Sequence, residues 1–297
     1  MVHYPCLFRG PEKREASKFK LLKNHVMKKI LCPVDFSALT DTTVVYAAKT
    51  AKRLGWALTL MNVQSLLKLT PEEALRGEAT NVALVSSRLE ELSLEVEQIF
   101  KITCTSLVAT TVGTISNIIA EKANGYDLVI MGTNGSKEIF GILTESHTYK
   151  VLRKIETPLL FIPAHAWYSE VRKIAYAFDY RAAGTVPLIS IVGFARELGS
   201  SITVLQIVDE IFTHEKEKEM KIIQERVTRQ YQNDNIHFEV VYDSDTVDGI
   251  NNYLNNGKAD VLAVYSSQLP FLEKLFHKSV IKKLSEAPAI PVLVIHA

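Results

Sequence analysis

Gly132 and Gly135 stand three apart directly after the apolar run Leu128-Val129-Ile130-Met131, and a hydroxyl, Ser146, follows downstream. Glycines so placed let a backbone come close to a ligand and offer N–H groups to an anion. A helix expected to begin near Ser146 adds its positive N-terminal end, so the chemistry indicated is phosphate binding. Gly-x-x-Gly alone is common in turns; its position after a strand pattern gives it weight. His147 reads either as a donor to phosphate or as an ordinary surface histidine. Asp35 closes a second apolar run, Ile30 to Val34, and reads either as a ligand contact or as the cap of the following turn. The eight histidines and three cysteines form no cluster with metal-ligand spacing. There is no Gly-x-Ser-x-Gly elbow, P-loop or His-Glu-x-x-His motif. The residues point to binding rather than catalysis.

The elements that would carry these residues repeat. Lys29-Ile30-Leu31-Cys32-Pro33-Val34-Asp35 and Lys173-Ile174-Ala175-Tyr176-Ala177-Phe178-Asp179 are apolar runs that end in aspartate, 144 residues apart. At the same offset follow the helical stripes Val44, Ala47, Ala48, Ala51, Leu54 and Leu188, Ile191, Val192, Ala195, Leu198. Gly55 and Gly199 then supply C-terminal caps. The strands Ala57–Val63 and Ser201–Ile207 come next. Long helical stretches are expected at Pro71–Phe100 and Glu215–Gln232, the first opened by Thr70, Pro71, Glu72 and Glu73. The late strands repeat at an offset of 133: Tyr126–Gly132 with Ala259–Tyr265, and Pro158–Ile162 with Pro291–Ile295. The shorter middle of the second half absorbs the difference of about three helical turns.

Near-continuous Val/Ile/Leu strands alternating with amphipathic helices imply an α/β fold with a parallel sheet covered on both faces. Right-handed crossovers make each half an open, doubly wound, five-stranded sheet. The expected boundaries are 1–26, an N-terminal extension; 27–165, a first domain; and 171–297, a second. The connector is so short that the halves must pack together. In such sheets ligands bind beyond the carboxyl ends of the strands. That places Pro33, Val34 and Asp35, Val63, and Met131-Gly132-Thr133-Asn134-Gly135 around one crevice in the first half.

The segments KKILCPVDFS, LTLMNV, DLVIMGTNG and KVLRKIETPLLFIP resemble the most recurrent stretches of the universal stress protein family. The resemblance spans Met27 to Ala297, is stronger in the first half, and is that of a tandem member. It implies a Rossmann-like fold of the adenine-nucleotide alpha-hydrolase type, with the two domains paired as a pseudo-dimer through their last strands, Thr157–Pro163 and Ile290–His296. Family members that bind nucleotide carry Gly-x2-Gly-x9-Gly-Ser/Thr. Gly132 and Gly135 match the first two positions and Ser146 the last, but Glu145 stands where the third glycine is expected. By the resemblance, Asp35 meets the adenosine end and Val63 flanks adenine. Gly132 to Gly135, Ser146 and Thr148 hold the phosphates of ATP carried with magnesium. A carboxylate at 145 would weaken that site. The second half, with Val264-Tyr265-Ser266-Ser267-Gln268, Lys278 and Ser279, has no glycine cradle and reads as degenerate.

Length and composition agree with this outline. The chain has 297 residues, 47% apolar and 23% charged, with a net charge of +1. These are the values of a two-domain globular protein and give no reason to expect nucleic acid. Residues 1–26 hold six basic and two acidic residues and no apolar periodicity, so a disordered tail is expected, with Met27 the alternative start. They lack the apolar core of a signal peptide, and no apolar run reaches the length of a membrane span. Three cysteines without paired spacing suit a cytoplasmic location. The expected function is a stress-response binding and regulatory module gated by adenine nucleotide in the first half, not an enzyme. The alternatives are a nucleotide-free scaffold and a slow, self-phosphorylating ATPase with Ser146 as the phosphate-adjacent hydroxyl. The sequence leaves homodimerisation open.

Overall fold

A computed structural model describes residues 28–66, 78–133, 147–164, 166–178, 186–208, 214–232, 234–265 and 290–296. The first half contains β1 (Lys29–Pro33), α1 (Thr40–Leu54), β2 (Ala57–Ser65), α2 (Glu78–Phe100), β3 (Cys104–Thr111), α3 (Ile115–Ala123), β4 (Leu128–Thr133), α4 (His147–Leu152) and β5 (Leu159–Pro163). The second contains β6 (Lys173–Ala177), α5 (Val186–Leu198), β7 (Ser201–Val208), α6 (His214–Gln230), β8 (Ile236–Tyr242), α7 (Thr246–Asn255), β9 (Val261–Tyr265) and β10 (Val292–Ile295). The elements recur at the two offsets read from the sequence.

The strands form one sheet in the order β3-β2-β1-β4-β5-β10-β9-β6-β7-β8. Two five-stranded arrays were expected, and each is present as a parallel block. They are not separate sheets. β5 and β10 pair antiparallel, with Val292 opposite Phe161, Leu293 opposite Leu160 and Val294 opposite Leu159. The strand order within each block reverses at β1 and at β6, the arrangement that opens a crevice at the carboxyl ends.

Alternation along the strands sends side chains to two cores. Ile30, Cys32, Leu58 and Leu60 join α1, α2, α5 and α6 on one face; Leu31, Met61, Val129 and Met131 join α3, α4 and α7 on the other. Both cores run through β5 and β10 without a break. On α1 the expected stripe buries Val44, Ala47, Ala48 and Ala51, with Leu54 at the margin. On α5 all five stripe residues are buried. Gly55 and Gly199 sit at φ +68° and +67°; a side chain at Gly55 would have open space, so the left-handed backbone alone selects glycine there.

Several strand boundaries shift by one or two residues from the sequence reading, and two of the shifts share a cause. α2 is described from Glu78, and the expected start at Pro71 lies outside the described residues. β4 and β9 begin two residues later than expected, at Leu128 and Val261. The reason is the same in both halves. Asp127 turns its carboxylate onto the backbone N–H of Lys29 (2.8 Å), and Asp260 accepts from the N–H groups of Arg172 and Lys173 (2.9 Å each). The backbone N–H of each aspartate also donates to the carbonyl of Lys29 or Lys173 (2.9 Å each), so carboxylate and main chain together clamp the starts of the two strands.

Candidate functional site

The crevice at the carboxyl ends of the first block is built from the end of β1 outward. Pro33 closes β1 opposite Met61. Val34, buried, donates its N–H to the Met61 carbonyl (2.8 Å), and its own carbonyl accepts from the Asn62 side chain (2.8 Å). Asn62 is itself buried, and Gln64 donates to its Oδ1. That amide fixes the path of the chain where it leaves the sheet.

Asp35 is exposed, and its Oδ1 accepts the N–H of Ser37 (2.9 Å), an Asx turn. Of the two roles left open for Asp35, the turn is the one its contacts show. The next residue, Phe36, has φ +58°, a left-handed conformation that costs a side-chain-bearing residue about 1 kcal/mol or more. Arg88 of α2 places its guanidinium 4.3 Å from the centre of the Phe36 ring and holds this loop from above.

Val63 is half-buried and lies in register with Ala109 of β3, also half-buried; Ile115 opens α3 beside them. These residues form a small apolar ledge. Met131 is buried in the α3/α4 core, so its side chain packs there. Gly132 has a definite reason to lack a side chain: a Cβ there would stand 2.3 Å from Thr43 Oγ1. Its bareness lets the first turns of α1 lie against β4. Thr43 Oγ1 in turn donates to the Leu39 carbonyl (2.9 Å). α1 has no side-chain N-cap, and Thr40, buried in its first turn, has a hydroxyl with no partner among the described residues. The Thr40 N–H is taken by the Ser37 carbonyl (3.0 Å), so the orphan hydroxyl is the group at this helix N-terminus left to meet a ligand.

Asn134, Gly135 and Ser146, together with Glu145, lie outside the described residues. His147 and Thr148 open α4, and only their backbone is described. The structure therefore brings together Pro33, Val34, Asp35, Val63, Met131 and Gly132. Sequence reasoning passed over two residues of this group, Asn62 and Thr40. Asn62 had a usable signal, since an amide inside the run Leu58–Val63 must find a partner when buried.

Gly132→Ala is expected to destabilise the protein by about 1–3 kcal/mol, the usual cost of overpacking. Adding Thr43→Ala should recover most of that loss, because it removes the atom in the way. Denaturant unfolding of the single and double variants reads this out; equal losses in both would show that β4 and α1 separate freely.

The second half treats the same positions differently. Phe178 replaces Val34 and stacks edge-on against Tyr176 at 5.8 Å. Gln206 replaces Asn62; it is buried, reaches only the Ile207 carbonyl at 3.4 Å, and leaves its Oε1 without a partner among the described residues. Ile207 replaces Val63 and is buried under α7, its Cγ2 2.8 Å from where a Cβ of Gly249 would stand. The position that is half-buried in the first half is fully buried here. A cleft of about 250 Å³ does exist in this half, but at the amino end of β7, lined by Val192, Ala195 and Ile202. Its charged groups are spent on each other: Arg196 forks onto Asp234 at 2.6 and 2.7 Å, which holds that carboxyl below its usual range.

No group of metal-binding side chains occurs among the described residues, and none of their helices is long and apolar enough to cross a membrane. Cys32 and Cys104 are free and buried, and burial raises both thiols, Cys104 to about 12. They are poor nucleophiles.

Residues 27–163 match the universal stress protein family. That span covers the whole crevice described above. Among solved structures, a universal stress protein from Archaeoglobus fulgidus superposes on 92% of this chain and 99% of its own, at 14% identity and a TM-score of 0.67. The universal stress protein UspA from Lactobacillus plantarum aligns with 47% of this chain and 99% of its own (21% identity, TM-score 0.38). A universal stress protein in complex with cAMP aligns with 46% and 98% (16% identity, TM-score 0.37). No curated protein matches the chain in sequence. The likeness over nearly the full length establishes an α/β fold of the family's type, with a sheet that is parallel except at one seam.

Proposed function

We propose that the chain is a cytoplasmic tandem universal stress protein, a regulatory module that takes an adenine nucleotide in its first half alone. The asymmetry of the two crevices carries this reading. In the first half Val63 is only half-buried, Asp35 is exposed, and α1 has no side-chain N-cap and carries the orphan hydroxyl of Thr40. In the second half Ile207 is buried where Val63 is half-buried, and Phe178 stands where Val34 does. The adenine would lie against Val63 with Pro33, Val34 and Asp35 at the adenosine end. Met131, Gly132, Asn134, Gly135, Ser146, His147 and Thr148 would surround the phosphates, which would carry magnesium with them. Bound ATP would bring its charge to the Gly132–Ser146 stretch and so signal its presence to a partner. Pairing of the two halves within one chain is part of the proposal. It is supported by the register at the seam, where Leu160 faces its own repeat equivalent, Leu293.

Glu145 tests the site. If its carboxylate faces the phosphates, Glu145→Gly should tighten ATP binding about 5–30-fold, or roughly 1–2 kcal/mol. Gly135→Val should abolish binding, and alanine at Ser266 or Ser267 should change nothing. Calorimetric titration with ATP and magnesium decides among the readings. Equal affinities for parent and Glu145→Gly would show that the carboxylate points away. No binding to either would favour the nucleotide-free scaffold, and ADP accumulating during incubation would favour the slow ATPase.

A further inference from the structure

One side of α1 carries Tyr46, Lys49 and Arg53, spaced three and four apart so that they share a face. All three are engaged near the seam. Tyr46 packs edge-on against Tyr168 of the connector at 5.0 Å, and the Lys49 ammonium lies 5.1 Å from the same ring. Arg53 Nη2 donates to the carbonyl of Leu198 at 3.0 Å, which places a cation on the negative end of α5. Close by, Lys28 forms an ion pair with Glu197 and rests over Trp56. The C-terminal ends of α1 and α5 therefore meet across the seam.

The repeat makes these contacts informative. At the offset of 144, the counterparts of Tyr46, Lys49 and Arg53 are Ser190, Gly193 and Glu197, and that of Lys28 is Arg172. Around a two-fold axis a contact between positions i and j recurs with the roles exchanged. The counterpart of Lys28 with Glu197 is therefore Arg172 with Arg53, and there Glu170, paired with Arg172, feels both cations. Here the position that is arginine on α1 is glutamate on α5. If a second copy of the first half took the place of the second half, Lys28 would face another Arg53 instead of Glu197. The contact would then occur twice, like charge against like. Such arrangements select a partner by penalising the wrong one.

We propose that Lys28, Arg53 and Glu197 form a pairing code that directs the first half of the chain onto its own second half and against a second copy of itself. The code rests on the intrachain pairing proposed above. It is an interaction surface whose partner is the acidic C-terminal end of α5, and it keeps the crevice-bearing half in a heterologous pair.

The test uses charge reversal in the full-length chain with unfolding in denaturant as the readout. Glu197→Arg gathers three cations at the junction and should raise the unfolding constant about 10-fold. Arg53→Glu loses the Leu198 carbonyl and sets a carboxylate on the negative end of α5, a loss that Arg172 only partly offsets, and should raise it about 5-fold. The double variant exchanges the roles of the halves. Its arginine on α5 reaches the Leu54 carbonyl, its glutamate on α1 meets Arg172, and the unfolding constant should return to within about threefold of the parent. High salt should shrink all three differences. Single losses that simply add in the double variant would overturn the code and leave the pairing intact. No loss in any variant would overturn the code, while the pairing itself is tested separately at Leu160.

Discussion

Leu160→Asp should cost about 4 kcal/mol or more, a large part of the stability of a typical domain. Leu160 is 1% exposed, flanked by Ile130 on β4 and Leu293 on β10, and it belongs to the core that α1 and α5 cover. A carboxylate there has no water and no partner, so it must either stay protonated or force the seam apart. Leu160→Ala, which leaves only a cavity, should cost about 2–5 kcal/mol and serves as the graded control. Because the sheet and both cores run through β5 and β10, the loss should be felt by both halves. Trp56, buried in the first half, supplies the change in fluorescence, since the other tryptophan, Trp167, is already exposed; circular dichroism reports every helix and strand. The two probes should give one coincident transition at a lower denaturant concentration. Separate transitions, with only the Trp56 signal displaced, would show that the seam does not couple the halves. Unchanged compactness of Leu160→Asp in small-angle scattering would show that the strand tolerates a charge and is not the centre of the interface.

The outline of the fold was legible because strand and helix periods differ and the repeat doubled every signal. An apolar run ending at Asp35 is ambiguous alone; with a copy ending at Asp179 and a glycine-capped stripe after each, it becomes an α/β unit. What escaped were residues whose roles depend on neighbours from distant segments. Asp127 and Asp260 extend apolar runs and so read as strand, yet their carboxylates bind the starts of β1 and β6. Gly132 was legible as a backbone requirement, but not that Thr43 of α1 imposes it. Asn62 carried a signal in the form of an amide in an apolar strand, whereas Thr40 had none, since threonine is common at helix starts. The junction of Arg53 with Leu198 was also invisible. Its two residues lie 145 apart, and only the pairing of β5 with β10 brings them together.

Acidification should weaken the protein through His296, which follows β10. Burial alone lowers its imidazole from the ordinary 6.5 to about 4, and Nε2 has no partner among the described residues. The sign follows from linkage. The unfolded chain takes up a proton at this position as pH falls below about 6.5, and the folded chain resists until about pH 4. Stability is therefore fully present above that window and declines as pH drops through it, by about 2 kcal/mol at pH 5. His296→Leu removes the titrating group and suits an apolar strand end. Its unfolding free energy should be nearly parallel to the parent's above pH 7 and should gain on it steadily between pH 6.5 and 4.5. Taking the difference between the two proteins cancels the carboxylates, including Glu170 and Asp234, which Arg172 and Arg196 hold low. Since β10 is the strand that meets β5, the extra loss at low pH falls on the seam, and a parent whose pH profile matched that of His296→Leu would show that this histidine is solvated in the folded chain.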